Sequence, residues 1–157
     1  MKVIVTGATG FVGHEVVRKC INDPKISSVI VLTRNPVDET LRRKKVHVIR
    51  HQDFLSYPPD LLKKLKGAQC CIWCIGGKAN YCLEGQETAL KANVDFPLIA
   101  AKAFMEGIVT DGQKFHFVFC SVQRAKWDLG TTRPTFYDLE KFKVPTSFGL
   151  DRRDLLT

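Results

Sequence analysis

Residues 2–13 read Lys-Val-Ile-Val-Thr-Gly-Ala-Thr-Gly-Phe-Val-Gly, and this stretch decides the fold. It opens with a β-branched, apolar run, which predicts a buried strand. Three glycines follow at a spacing of three, Gly7, Gly10 and Gly13, and they lead into a segment of helical periodicity from Phe11 to Ile21. The sequence therefore predicts a strand, a glycine turn and a helix in direct succession.

The glycine turn is suited to holding a phosphate group. Glycines let the backbone bend sharply and approach a pyrophosphate, while the N-terminus of the next helix offers unpaired N–H groups and a favourable dipole. Such turns also occur without a ligand, but the position between a strand and a helix favours dinucleotide binding. A P-loop is excluded, because no Gly-Lys-Ser/Thr follows Gly7 or Gly10, and Gly77-Lys78 is followed by Ala79.

The end of the second predicted strand, Ser28 to Thr33, indicates which dinucleotide the turn would take. An acidic residue there would accept hydrogen bonds from the adenosine ribose of NAD. The strand is followed instead by Arg34, and the first acidic residue is Asp38. A guanidinium suits a 2′-phosphate, so we expect NADP to be preferred, with NAD as the second option. The alternative is that Arg34 is a solvated loop charge.

The segment from Thr6 to Gly13 resembles the cofactor turn of the extended and atypical short-chain dehydrogenase/reductases. That group includes nucleotide-sugar epimerases, NmrA-like proteins and Tat-interacting-protein-like oxidoreductases. The likeness covers about residues 1–143 and is strongest over the first 34. It implies a Rossmann-type α/β domain that binds NAD(P) and acts as an oxidoreductase or epimerase on an unknown small-molecule substrate.

The resemblance also implies which residues contact the cofactor. In the glycine turn these are Gly7, Thr9, Gly10, Phe11, Val12 and Gly13. A third strand is predicted from Val46 to Ile49, and Asp53 and Phe54, which follow it, would flank the adenine ring. Capping of a turn is the alternative role for Asp53.

A fourth strand, Cys70 to Ile75, runs into a pair of glycines, Gly76 and Gly77. In an open parallel sheet, ligands lie outside the carboxyl ends of the strands near the point where the strand order reverses. We therefore expect Ile75, Gly76 and Gly77 to lie by the ribose and pyrophosphate of the cofactor.

The catalytic candidates follow a fifth predicted strand, Lys114 to Cys120. Ser121 stands where the family carries a hydroxyl that hydrogen-bonds the substrate carbonyl. If the segment is helical, the i, i+4 spacing of Tyr137 and Lys141 puts both side chains on one face, where the lysine would lower the phenol pKa and the tyrosine would act as general acid. Chance spacing explains this pair equally well, and an alternative places the Lys-rich segment of the atypical branch at Lys141 to Lys143, which leaves Tyr137 without a role.

Two further helices are predicted. The shorter spans Asp60 to Lys66, after two prolines. The longer spans Gln86 to Glu106, and Pro97 is expected to kink it. Its sheet-facing residues are expected to be Leu90, Val94, Leu98, Ile99 and Ala103.

The composition is that of one globular domain, with 157 residues of which 45% are hydrophobic and 10% aromatic. We expect a doubly wound Rossmann domain of about five parallel strands over residues 1–143 and an irregular C-terminal tail over 144–157. No apolar run is long enough to span a membrane and no signal-peptide pattern is present, so the expected location is the cytoplasm. The sixth strand and substrate lobe of the family are not apparent, so we expect cofactor binding with little turnover, and self-association through an uncovered sheet edge.

The net charge and the cysteines suggest other classes of function. The net charge of +8 and the basic run from Arg42 to Lys45 would suit nucleic acid, but no RNA- or DNA-binding motif accompanies them. The six cysteines are expected to be free thiols. Cys71 and Cys74 have a metal-ligand spacing, but they lie in a strand pattern without a second pair, so no metal is predicted. A non-catalytic dinucleotide-sensing or protein-interaction module remains the alternative to an enzyme.

Overall fold

The computed structural model describes residues 1–76, 83–110, 113–120 and 148–149. Within these ranges the chain alternates strands and helices, as a doubly wound α/β domain does. The strands are β1 (Lys2–Thr6), β2 (Ser28–Thr33), β3 (Val46–Arg50), β4 (Cys70–Trp73), β5 (His116–Phe119) and β6 (Phe148–Gly149). The helices are α1 (Phe11–Asn22), α2 (Pro59–Leu65), α3 (Leu83–Leu90) and α4 (Phe96–Gly107), with a π-helical turn at Lys91–Asp95 and a 3-10 turn at Glu39–Leu41.

The strands form one sheet in the order β3-β2-β1-β4-β5-β6. The pairs from β3 to β5 are parallel, and β6 adds two residues antiparallel to β5. The chain runs outward from β1 to β3 and then crosses back to β4, so the strand order reverses between β1 and β4. This confirms the predicted Rossmann-type fold with five parallel strands, and it places the switch point where the glycine turn leaves β1.

Successive side chains of each strand point to opposite faces of the sheet, and both faces of its central strands are buried under helices. One face carries Val3, Val5 and Val31, which pack with Val17 of α1. The opposite face packs against α2 and α4. Its buried side chains include Ile4, Leu32, Leu65, Trp73, Phe104 and Phe117. Two buried faces explain why the strands read as continuous apolar runs and could be found from the sequence.

The long helix differs from its prediction in the face that it buries. Leu98 was expected to face the sheet, but it is 49% exposed, whereas Ala100, Ala101 and Phe104 are buried. The π-helical turn at Lys91–Asp95 is the reason, since it takes in an extra residue and rotates the following helix relative to a regular 3.6-residue period. The turn ends two residues before Pro97, which has no N–H to close a regular helical hydrogen bond.

Two glycines of the described residues have positive φ angles, Gly7 at 70° and Gly67 at 78°. Their surroundings differ. A Cβ on Gly7 would lie 2.5 Å from the carbonyl oxygen of Cys74, whereas a Cβ on Gly67 would meet nothing within 4 Å. Position 7 therefore requires glycine for two reasons, its backbone conformation and its contact with the end of β4. Position 67 requires glycine for its backbone conformation alone.

The two positions give a matched test of the turn. We expect Gly67→Ala to lower the free energy of unfolding by about 1 to 2 kcal/mol, which is the cost of a left-handed backbone for alanine. Gly7→Ala should cost about 3 kcal/mol or more, because overpacking against Cys74 adds to the same conformational cost. Urea unfolding followed by circular dichroism measures both. Equal losses would show that the turn does not press against β4.

Candidate functional site

The glycine turn joins β1 directly to α1. The Gly10 N–H donates to the Gly7 carbonyl at 3.0 Å, and α1 begins at the next residue. No side chain of the described residues caps this end of α1, and its first turn contains no acidic residue. The first N–H groups of α1 and the positive end of its dipole are therefore available to an anion.

The three glycines of the turn serve different purposes. A Cβ on Gly13 would clash with the Gly7 carbonyl, so Gly13 lets α1 pack directly on the turn. Gly10 is different, because a Cβ there would come no closer than 3.4 Å, to the Gly7 oxygen. Its backbone angles, φ −91° and ψ 163°, also suit any residue. The fold requires Gly7 and Gly13, whereas the space at Gly10 is left for something outside the chain.

A groove of about 160 Å³ lies beside the turn, at the carboxyl ends of β1, β2 and β4. Seven of the predicted cofactor residues line it: Gly7, Thr9, Gly10, Arg34, Phe54, Ile75 and Gly76. Sequence reasoning missed four others, which are Leu32, Thr33, Asn35 and Cys74. They could have been found by extending each strand to its last residue, since parallel strands end at the same edge of the sheet.

Other predicted cofactor and catalytic residues are not among the described residues that line this groove. A second hollow, of about 630 Å³, opens on the other side of Thr9 and Gly10, and Phe11 borders it with 92% of its surface exposed. Val12 is also exposed, at 52%. Four predicted residues fall outside the residues that the structure describes: Gly77, Ser121, Tyr137 and Lys141.

The end of β2 presents a cation to the groove. Arg34 lines it with an exposed side chain, and its carbonyl accepts a hydrogen bond from Gln52 Nε2 at 3.0 Å. No carboxylate is found among the described residues that line the groove. Asp38, the first acid after β2, lies outside it and accepts from the Thr40 N–H at 2.7 Å, and hydrogen bonds from Thr40 lower the pKa of its carboxyl.

Asp53 and Phe54 are placed differently from each other. The Asp53 carboxylate accepts from the Leu55 N–H at 2.9 Å, which is the turn-capping role given above as the alternative. Phe54 is 1% exposed and packs edge-on against Trp73, with ring centroids 5.7 Å apart. Phe54 therefore forms an apolar part of the groove wall that is continuous with the core.

The two cysteines with metal-ligand spacing diverge in the structure. Cys71 is buried in the core, while Cys74 follows β4 and lines the groove. The Cys74 N–H donates to Thr6 Oγ1 at 3.2 Å, which ties β4 to the start of the glycine turn. The Cys74 sulfur lies 3.5 Å from the sulfur of Cys120, a contact that sequence reasoning missed. In the described part of the chain, no group of His, Cys, Asp or Glu is arranged to hold a metal ion.

Several basic residues have structural partners. Lys2 Nζ donates to the carbonyls of Lys64 and Lys66, at 3.2 and 2.6 Å. Lys45 Nζ donates to the carbonyls of Asp23 and Ile26, both at 2.8 Å. These lysines donate hydrogen bonds to carbonyls of loops and helix ends. Part of the net positive charge of the chain therefore stabilises the fold. Among the described residues, no helix is long and apolar enough to cross a bilayer.

Comparisons with known proteins agree with this geometry. The chain is 35% identical over 121 residues to leucinostatins biosynthesis cluster protein T of Purpureocillium lilacinum, an alignment that covers 77% of this chain and 42% of that protein. A short chain dehydrogenase family protein from Francisella tularensis superposes with a TM-score of 0.61 at 17% identity, covering 89% of this chain and 57% of the other. Uronate dehydrogenase from Agrobacterium tumefaciens in complex with NAD gives a TM-score of 0.53 at 17% identity, covering 76% and 40%.

The two structural likenesses show the fold, and the chain spans less than half the length of the Purpureocillium relative. The family is shown by a separate finding. The model of the NAD dependent epimerase/dehydratase family matches residues 3–121, which include the glycine turn, the switch point and all five parallel strands. The chain therefore belongs to the NAD dependent epimerase/dehydratase family and carries its NAD(P)-binding Rossmann fold.

Proposed function

We propose that this chain binds NADP(H) across the glycine turn and prefers it to NAD(H). The observation that carries the proposal is the charge of the groove. Arg34 faces it from the end of β2, and the described residues around it include no carboxylate that could accept hydrogen bonds from an unphosphorylated ribose. An adenosine 2′-phosphate would meet a guanidinium there and no opposing negative charge.

The remaining contacts follow from the groove. The pyrophosphate would sit over Gly10 and accept hydrogen bonds from the first N–H groups of α1. Phe54 would give the adenine an apolar wall, and Ile75 and Gly76 would border the nicotinamide half, with Gly77 beyond them. Asp53 already caps a turn, so we assign it to support of the loop beside the adenine.

We further propose that the whole protein is an oxidoreductase of the short-chain dehydrogenase/reductase type. A bound nicotinamide would supply or accept the hydride. Ser121 would then hold the substrate carbonyl, Tyr137 would donate the proton, and Lys141 would lower the pKa of the tyrosine. Support comes from membership of the NAD dependent epimerase/dehydratase family and from the sequence, in which Ser121 follows the last residue of β5 by two positions.

The cofactor preference is tested by Arg34→Ala. We expect this change to weaken NADPH binding by about 1 to 3 kcal/mol, or roughly 5- to 150-fold, because a charged hydrogen bond is lost. NADH binding should change little. Isothermal titration calorimetry measures both dissociation constants.

Arg42→Ala is the matched control, because it removes the same charge from an exposed side chain that pairs with Glu39 and lies outside the groove. It should change neither affinity beyond a small salt-dependent effect. Equal losses for NADPH and NADH in Arg34→Ala, or an equal effect of Arg42→Ala, would overturn the assignment.

The role of the turn is tested by Gly10→Val. Because a Cβ at this position comes no closer than 3.4 Å to the Gly7 oxygen, we expect the variant to fold, with a stability loss of about 1 kcal/mol from the poorer helix cap. Dinucleotide binding should be lost, since the side chain occupies the space for the pyrophosphate. Circular dichroism and NADPH fluorescence separate the two effects. Normal binding by a folded Gly10→Val variant would refute the site.

The catalytic assignment is tested by Tyr137→Phe. NADPH oxidation is followed with a panel of aldehydes, ketones and quinones, and NADPH binding is measured in parallel. An active oxidoreductase should lose about two or more orders of magnitude in kcat in this variant, with the cofactor affinity unchanged, because the general acid is removed. Unchanged turnover in Tyr137→Phe would exclude the assignment, and absence of turnover in both chains would favour a non-catalytic dinucleotide-binding module.

A further inference from the structure

Two cysteines meet at the carboxyl edge of the sheet. Strands β4 and β5 are parallel neighbours in which Trp73 is opposite Phe119, so Cys74 and Cys120 are the first residues beyond the paired segments. The Cys120 N–H donates to the Trp73 carbonyl at 2.9 Å, which fixes the two backbones side by side. The two sulfur atoms are 3.5 Å apart, although 46 positions separate the residues in the chain.

The two thiols have different surroundings. Cys120 is exposed, whereas Cys74 is partly buried and lines the groove. The hydrogen bond between the two thiols lowers the pKa of Cys120 to about 7, which favours the reactive thiolate form of this residue. The same hydrogen bond, followed by burial, raises the pKa of Cys74 above its ordinary value. Because Cys120 is the more exposed of the two sulfurs and has the lowered pKa, it is the one that meets a reagent from solvent first.

The other described cysteines lack these properties. Cys20, Cys70 and Cys71 are buried, and burial raises the pKa of each thiol, that of Cys70 to about 11. Thiols in this state react slowly, because the thiolate is the nucleophile. They provide internal controls for chemistry at the Cys74–Cys120 pair.

We propose that Cys74 and Cys120 form a peroxide-reactive dithiol site that closes to a reversible disulfide beside the cofactor groove. The Cys120 thiolate attacks one oxygen of hydrogen peroxide, the O–O bond breaks, and the leaving hydroxide takes up a proton from solvent to give water. Cys120 is now a sulfenic acid. The Cys74 sulfur then attacks the Cys120 sulfur, the S–O bond breaks, and the thiol proton leaves with the hydroxide as a second water. Two thiols are oxidised by two electrons, and one peroxide is reduced.

The backbone permits this product. Neighbouring strands lie about 4.8 Å apart, which falls within the Cα separation that disulfides span. The sulfur atoms must approach from 3.5 Å to about 2 Å, which rotation of the exposed Cys120 side chain can supply.

The disulfide would change the shape of the groove, because Cys74 forms part of its wall. Its N–H is bonded to Thr6, and its carbonyl lies against Gly7, so the residue joins β4 to the glycine turn. A change in its side chain alters a wall of the groove, and a dinucleotide in the groove would cover it. This coupling rests on the proposed cofactor site, whereas formation of the disulfide does not.

The test uses the full chain, reduced and then exposed to hydrogen peroxide, blocked with iodoacetamide and mapped by peptide mass spectrometry. We expect a Cys74–Cys120 cross-linked peptide that dithiothreitol reverses, formed at a rate that rises with pH through about 7. Cys120→Ser should abolish it. Cys74→Ser should leave a sulfenic acid on Cys120 that dimedone traps. Cys70→Ser, the buried control, should cross-link like the unaltered chain if circular dichroism shows that it is folded.

The outcomes separate the two proposals. A Cys74–Cys120 disulfide that saturating NADPH slows severalfold supports the dithiol site and its place in the groove. A disulfide formed at the same rate with NADPH present supports the dithiol site and removes its coupling to the cofactor. Oxidation confined to single cysteines in the unaltered chain, or a disulfide from either residue to Cys82, would overturn the inference whatever NADPH does.

Discussion

The close contact of three backbone segments at Gly7 is the constraint on which the rest of the site depends. Gly7 turns out of β1 with a positive φ, its carbonyl lies against Gly13 of α1, and its Cα faces the carbonyl of Cys74 at the end of β4. No side chain fits between these segments. The strand, the helix and the neighbouring strand are therefore held within backbone distance of one another at the switch point of the sheet.

This close packing determines what the site can bind. It brings the uncapped N-terminus of α1 to the edge where β1, β2 and β4 end, and of the three glycines in the turn it leaves space for a Cβ at Gly10 alone. Arg34, which follows β2, lines the same groove, and none of the described residues that line it carries a carboxylate. These features suit a dinucleotide, and the NAD(P)-binding fold of the NAD dependent epimerase/dehydratase family leads to the same class of ligand.

Most of the fold could be predicted from the sequence, because its signals are local. Strands buried on both faces, such as Ser28–Thr33, stand out as apolar runs, and the glycine turn has a fixed spacing. The buried face of α4 could not be predicted, since the π-helical turn before Pro97 shifts the phase of the helix and has no composition of its own. The role of Cys74 was missed for another reason. Its contact with Cys120 depends on which strands are neighbours, and that is a property of the sheet rather than of either segment.

An NMR titration of the ¹⁵N-labelled chain with NADPH tests most directly whether the dinucleotide lies over the glycine turn. We expect the backbone amides of Phe11, Val12 and Gly13 to shift together with that of Arg34, in proportion to one binding curve, while the amides of α2 remain unchanged. Such a pattern places the ligand over the turn and the end of β2 at the same time. Shifts that leave residues 10–13 unaffected, or that cluster on α2 or α4, would show that the ligand binds elsewhere.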